Sequence, residues 1–213
     1  MPTGRTAEIE GRKNICAGFS RREPGAGMRI SGGQARGIPL DVPKGGAVRP
    51  ATDGLRQAVF SSLGARVAGA FFWDLFAGSG AYGLEALSRG AAAGVFVERH
   101  ARTAACLRRN LEAVSHCLGG APAVEIVTAD ALAWRPAGDA AADLVFIDPP
   151  FAIAAEVAPP LFAWLTPALA AKPDAVVIFE MPGELTLAPA GWACVKRLGK
   201  GAHQPTSALF QRA

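Results

Sequence analysis

The sequence predicts an α/β fold: a mostly parallel twisted sheet with helices on both faces, carrying a small hairpin-and-helix extension at its front. Three observations predict it. From residue 70 onward, short apolar runs alternate with segments whose apolar residues recur at helical spacing. A glycine-rich turn, Gly78-Ser79-Gly80-Ala81-Tyr82-Gly83, stands close behind the first of those runs. Half of the 213 residues are hydrophobic and 19% are charged, which allows a sizeable core and excludes global disorder.

The elements follow in order. Residues 1–27 are rich in Gly, Arg and Pro without hydrophobic period, so a loose extension is expected there. Within it Ile9-Glu10-Gly11-Arg12 spells a protease site used in expression vectors, and Met28 is a possible functional start. Residues 28–66 form the front unit. Arg29–Gly33 and Gly37–Val42 read as two short strands around a turn. Thr52 can cap a helix with Leu55, Ala58, Val59 and Leu63 on its apolar face, closed by Gly64.

Residues 67–213 form the main domain. Its strands are Ala70–Leu75, Gly94–Glu98, Val124–Thr128, Asp143–Ile147 and Val176–Glu180. Its helices are Ala81–Ser88, Ala101–Val114 and Ala154–Ala171, the last containing Pro159, Pro160 and Pro167, each of which removes a backbone donor. Trp192–Leu198 and Ser207–Gln211 suggest a terminal hairpin.

Charge is divided unevenly. Residues 1–66 hold 11 Lys/Arg against 5 Asp/Glu, whereas residues 67–213 hold 11 against 13. That asymmetry suggests a front surface for a polyanion such as RNA, with a solvated basic tail as the bland alternative for residues 1–27. The longest apolar runs, near Ala70–Phe72 and Ala175–Phe179, are too short for a bilayer, and Met1–Glu8 lacks a signal-peptide core. A cytoplasmic protein without membrane contact is expected. Cys16, Cys106, Cys117 and Cys194 match no zinc spacing, so no metal is expected and the thiols read as reduced.

Four strand ends carry candidate chemistry. The first runs into Asp74-Leu75-Phe76-Ala77-Gly78-Ser79-Gly80, a loop that lets a ligand approach backbone where no Cβ intervenes. Val97-Glu98 ends the second, where a carboxylate can accept from both ribose hydroxyls of an adenosine cofactor. Asp130, followed by Ala131 after the third, could accept from an adenine amino group, though surface Asp after a strand is common. These three features suit an adenine dinucleotide and S-adenosylmethionine equally. The fourth strand ends in Asp148-Pro149-Pro150-Phe151. Two prolines remove donors and leave carbonyl acceptors. An acceptor pair beside an aromatic ring is what a flipped base with an amino group requires, Asp148 and the Pro149 carbonyl holding the amino hydrogens and Phe151 stacking on the ring.

Together the D-x-F-A-G-S-G and D-P-P-F motifs resemble class I amino-methyltransferases, whose fold is Rossmann-like. Met28-Arg29-Ile30-Ser31-Gly32-Gly33, Arg49-Pro50-Ala51-Thr52-Asp53, Arg56–Phe60 and Gly83–Gly90 are similar to the RsmD family, over Met28 to about Pro182. That resemblance implies transfer of a methyl group from S-adenosylmethionine to guanine N2 of 16S ribosomal RNA, within the small ribosomal subunit, by a monomeric enzyme. It implies cofactor contacts from Asp74, Phe76, Ala77, Gly78, Ser79, Gly80, Glu98, Arg99, Asp130 and Ala131, with Thr52 near the methionyl end. It also implies Arg29, Arg36, Arg49 and Arg56 near RNA phosphates, Arg56 being equally compatible with a solvated helix face. Arg197–Gly201 replaces the Tyr-Gly of the family pattern. DNA adenine methylation, an NAD-dependent oxidoreductase and a cofactor-free RNA-binding protein are the other readings, the second leaving Asp148–Phe151 without a role and the third accounting only for the basic front half.

Overall fold

The computed structural model describes residues 27–43, 53–138, 140–199, 201–202 and 204–213. The expectations for residues 1–26, Arg49 and the Thr52 cap lie outside them. Helix α1 is Asp53–Leu63, and a 3-10 turn, Gly64–Val67, leads into strand β1, Phe71–Leu75. There follow α2 (Ala81–Ser88), β2 (Ala93–Val97), α3 (Ala101–Leu118), β3 (Ala123–Val127) and β4 (Leu144–Ile147). After a short 3-10 turn come α4 (Ala154–Ala168), β5 (Val176–Pro182), β6 (Trp192–Leu198) and β7 (Pro205–Arg212). The sheet order is β3-β2-β1-β4-β5-β7-β6. β1 to β5 are parallel, and β7 runs antiparallel between β5 and β6.

Alternation along the strands decides which helix each face receives. Phe72, Phe96, Phe146 and Ile178 pack with Val59, Phe60, Leu84 and Leu107 of α1, α2 and α3. Trp73, Leu75, Val145, Val177 and Phe179 instead face Val157, Leu161, Phe162 and Leu165 of α4. The front unit is not separate: Ile30, Ala35, Ile38 and Leu40 share the core of α1 to α3.

Several bounds differ from the sequence reading. α3 continues to Leu118 because Cys117 is buried on the same side as Val114, and it stops where Gly119 turns left-handed, φ 79°. α4 runs through Pro159 and Pro160, both exposed, because its opposite side is embedded in the sheet. Burial of that side outweighs the two missing backbone bonds. Phe151–Ala168 is in fact apolar and long enough to cross a membrane by composition, contrary to the expectation from apolar runs. In this fold it is the helix that covers one face of the sheet. The front strands shrink to one bridge, Arg29 opposite Pro39, supported by Ile30 N–H to the Ile38 carbonyl and Leu40 N–H to the Met28 carbonyl, each 2.9 Å.

Candidate active site

The outward ends of β1, β2, β3 and β4 gather the expected residues on one edge of the sheet. At the end of β1 the chain turns through Phe76, which has φ 63°, a left-handed conformation that is rare for a large side chain. Gly78 and Gly80 continue in positive φ, at 57° and 89°. The three glycines have different duties. A Cβ on Gly83 would fall on Phe96 and Phe72, and one on Gly80 would fall on Leu107, so these two allow α2 to lie close against its neighbours. Above Gly78 only the Phe76 carbonyl comes within 4 Å, which leaves room for a ligand against the backbone.

Two carboxylates brace this loop. Buried Asp74 accepts the Gly83 N–H at 2.9 Å, at the first turn of α2. Glu98, also buried, accepts the Gly78 N–H at 3.0 Å and the His100 N–H at 2.7 Å. Glu98 therefore ties the β1 loop to the end of β2, and its remaining lone pairs are those open to a ligand. Asp130 is exposed and accepts the Leu132 N–H at 2.8 Å, beside buried Ala131. Arg99 is exposed and its Nε donates to His100 at 3.0 Å.

At the end of β4, Asp148 continues the register after Ile147, which pairs with Leu75. By strand alternation its carboxyl shares a face with Asp74. Pro149 is buried and Pro150 exposed; the Pro150 carbonyl accepts the Ile153 N–H at 3.0 Å, and half-buried Phe151 opens the turn. Burial pushes the Asp74 carboxyl up to about 8, the charge of Glu98 adding to it and the Gly83 N–H opposing it. Asp148 is raised well above the carboxylate range, first by burial, then by Glu180 and Asp74, against the pull of Arg56.

These directions have a measurable consequence. A carboxyl that binds its proton more tightly folded than unfolded stabilises the fold fully at low pH, and that contribution is lost as pH rises. For Asp74 the window runs from the ordinary value of 3.8 to about 8. The free protein is expected to lose stability across that window, and Asp74→Asn to flatten the slope of melting temperature against pH. An unchanged slope in the variant would show that Asp74 does not carry the effect.

Arg56 is the correction. Expected at RNA phosphates or on a solvated face, it is fully buried. Its guanidinium pairs with Asp53 at 2.8 Å and Glu85 at 3.4 Å, and donates to the Arg29 carbonyl. Glu85 in turn accepts from the Ser31 N–H at 2.7 Å, the Ser31 hydroxyl at 2.8 Å and Arg89 at 2.8 Å. A Cβ on Gly33 would strike the Ser88 carbonyl, which explains the glycine there. Arg29 is half exposed with Asp53 at 3.5 Å, and Arg36 is exposed. Sequence reasoning missed Glu180 and Tyr82, both buried beside the site. The signal available was a carboxylate at the end of an otherwise apolar strand, Val176–Phe179.

A cavity of about 530 Å³ lies at the opposite ends of β1, β4 and β5, lined among others by Arg66, Asp143 and Lys172. Its cations are already engaged, Lys172 with Asp143 at 2.6 Å and Arg66 with the Asp174 carbonyl at 3.2 Å. No group of three His, Cys, Asp or Glu side chains suited to a metal occurs among the described residues.

A family model described as conserved hypothetical protein 95 matches residues 28–207. Ribosomal RNA small subunit methyltransferase D of Escherichia coli K12 is 38% identical over 124 residues, 58% of this chain and 60% of that protein. The protein of the same name from Haemophilus influenzae is 32% identical over 179 residues, 82% of this chain and 89% of its own. The chain thus spans about 60% of the length of the first of these relatives. A solved structure of the Escherichia coli protein yhhF superposes with a TM-score of 0.71 at 31% identity, covering 87% of this chain and 97% of that one.

Proposed function

Because the chain belongs to the RsmD family, we propose that it transfers a methyl group from S-adenosylmethionine to the exocyclic N2 of a guanine in small-subunit ribosomal RNA. One observation carries the chemistry: Asp148-Pro149-Pro150-Phe151 ends the strand beside the glycine loop, with Asp148 and Asp74 on one face. The residues suit the cofactor. Glu98 would hold the ribose hydroxyls, Asp130 the adenine amino group, and residues 76–80 the methionyl part, with Arg99 and Ala131 lining the adenosine side. At the α2 N-terminus, where a dinucleotide would seat its pyrophosphate, the Gly83 N–H is already taken by Asp74, and that favours a ligand without phosphate there. When bound, S-adenosylmethionine supplies an electrophilic methyl group.

The protein's part is orientation. An exocyclic amine is a weak nucleophile because its lone pair is delocalised into the ring. Hydrogen bonds from its N–H groups to Asp148 and the Pro149 carbonyl favour a pyramidal nitrogen with a directed lone pair. Phe151 stacks on the flipped base. Exposed Arg29 and Arg36, with Arg49 outside the described residues, supply phosphate contacts on the front side; Arg56 does not. The enzyme acts as a cytoplasmic monomer and needs no metal for this chemistry.

The test is transfer of labelled methyl to small ribosomal subunits, naked 16S RNA and duplex DNA, followed by mass mapping of the modified nucleoside. N2-methylguanine in RNA is expected. N6-methyladenine in DNA would replace this reading with another, and no transfer to any of the three would remove it.

A further inference from the structure

Beside Asp148 lies a second carboxylate that the reaction above leaves unused. Phe179 on β5 pairs with Ile147 on β4, so the next residues outward, Glu180 and Asp148, are neighbours on the same face of the sheet. Glu180 is 1% exposed. Its Oε2 accepts the Tyr82 hydroxyl at 2.7 Å. Ser207, which pairs with Glu180 from β7, lies 3.3 Å from the same hydroxyl. Glu180 Oε1 and Arg56 Nη1 are buried without a hydrogen-bond partner among the described residues. A carboxylate oxygen left so, beside another carboxyl, makes a second negative charge on the pair costly, so whichever group is free to take a proton binds it tightly.

We propose that Glu180, held by Tyr82, is a positioning residue that makes Asp148 the proton-accepting member of a carboxyl pair, ready to take the proton released by the methylated amine. This rests on the amine-methylation reading above. One N–H bond of the methylated amine breaks, its electron pair stays on nitrogen, and an O–H bond forms on Asp148. The products are a neutral amine and a neutral carboxyl, and the proton then passes to solvent.

The surroundings decide which carboxyl receives it. Tyr82 donates to Glu180 and so favours its ionised form, which leaves the proton to Asp148. The negative charge of Glu180, and more weakly that of Asp74, raises the affinity of Asp148 for it. Burial raises Glu180 to about 7, against the Tyr82 hydroxyl and, more weakly, Arg56 on α1, which opposes the rise at Asp148 too. Glu85 on α2 is turned to Arg56 and Arg89, and Glu98 is tied to Gly78 and His100.

The experiment follows the Asp148 carboxyl by carbon NMR in full-length protein labelled at aspartate, with the resonance assigned by Asp148→Asn. Glu180→Gln should lower its titration midpoint by about one pH unit or more, the size expected for loss of an adjacent like charge. Tyr82→Phe should lower it in part, because Glu180 then competes for the proton; this variant carries the test if Glu180→Gln does not fold. The acid limb of single-turnover methyl transfer should move with the NMR midpoint. A midpoint unchanged in the folded variants, or activity lost equally at every pH, overturns the proposal. Wild-type protein that methylates no RNA at any pH would strike instead at the amine-methylation reading, while the NMR result would still decide whether the carboxyls are coupled.

Discussion

Replacing Asp148 by alanine is expected to reduce the single-turnover rate of methyl transfer by about 10²–10³-fold, the loss typical of removing one preorganised hydrogen-bond partner of a transition state. The affinity for S-adenosylmethionine should stay nearly unchanged, because the partner of Asp148 in the proposed reaction is the amine. Asp148→Asn should lie between the two, since an amide carbonyl still accepts an N–H but carries no charge. Rapid-quench kinetics together with calorimetry separate these effects. Retention of most of the wild-type rate in the alanine variant would remove Asp148 from the reaction, whereas a parallel loss of cofactor affinity would place it at the cofactor instead.

The second large effect concerns stability. Glu85 has no exposed side-chain surface and accepts from Ser31, Arg56 and Arg89, so one α2 carboxylate holds together the front segment, α1 and its own helix. Glu85→Ala leaves the buried Arg56 cation with Asp53 as its one charged partner among the described residues, and strips two donors of Ser31 of their acceptor. Breaking a buried pair from one side costs about 3–5 kcal/mol, and that loss is expected in the unfolding free energy from urea titration. Glu85→Gln, which keeps the hydrogen bonds but not the charge, should cost less. A change below about 1 kcal/mol for the alanine variant, the scale of an exposed ion pair, would mean that the cluster is solvated in solution.

The strand ends were readable because each is a local pattern: an apolar run, then a polar residue or a glycine. Asp74, Glu98, Asp130 and Asp148 could be placed at the ends of their strands from the order of the sequence alone. α2 was legible to the residue, since Gly80 and Gly90 bracket a continuous apolar helix. What could not be read is pairing over long sequence separations. Arg56 looked like a surface arginine because nothing within α1 signals that Glu85, 29 residues away, receives it. Ser31 and Gly33 were visible as a motif, but their purpose, a hydroxyl for Glu85 and a missing Cβ against Ser88, exists only once α2 has docked. Glu180 stayed hidden because its partners come from α2 and β7, 98 and 27 residues away in sequence.

The place of β7 has a consequence for how the protein is made. The free edge of β5 is closed by residues 205–212, and β6, although translated earlier, reaches the sheet only through β7. A nascent chain that has released everything up to β6 therefore carries an open edge on β5, a template for pairing with another chain. Ser207 arrives with that same strand, so Tyr82 and Glu180 acquire their third partner only once β7 is in place. A chain lacking β7 thus has its sheet unsealed and the surroundings of Glu180 incomplete, and one strand completes both.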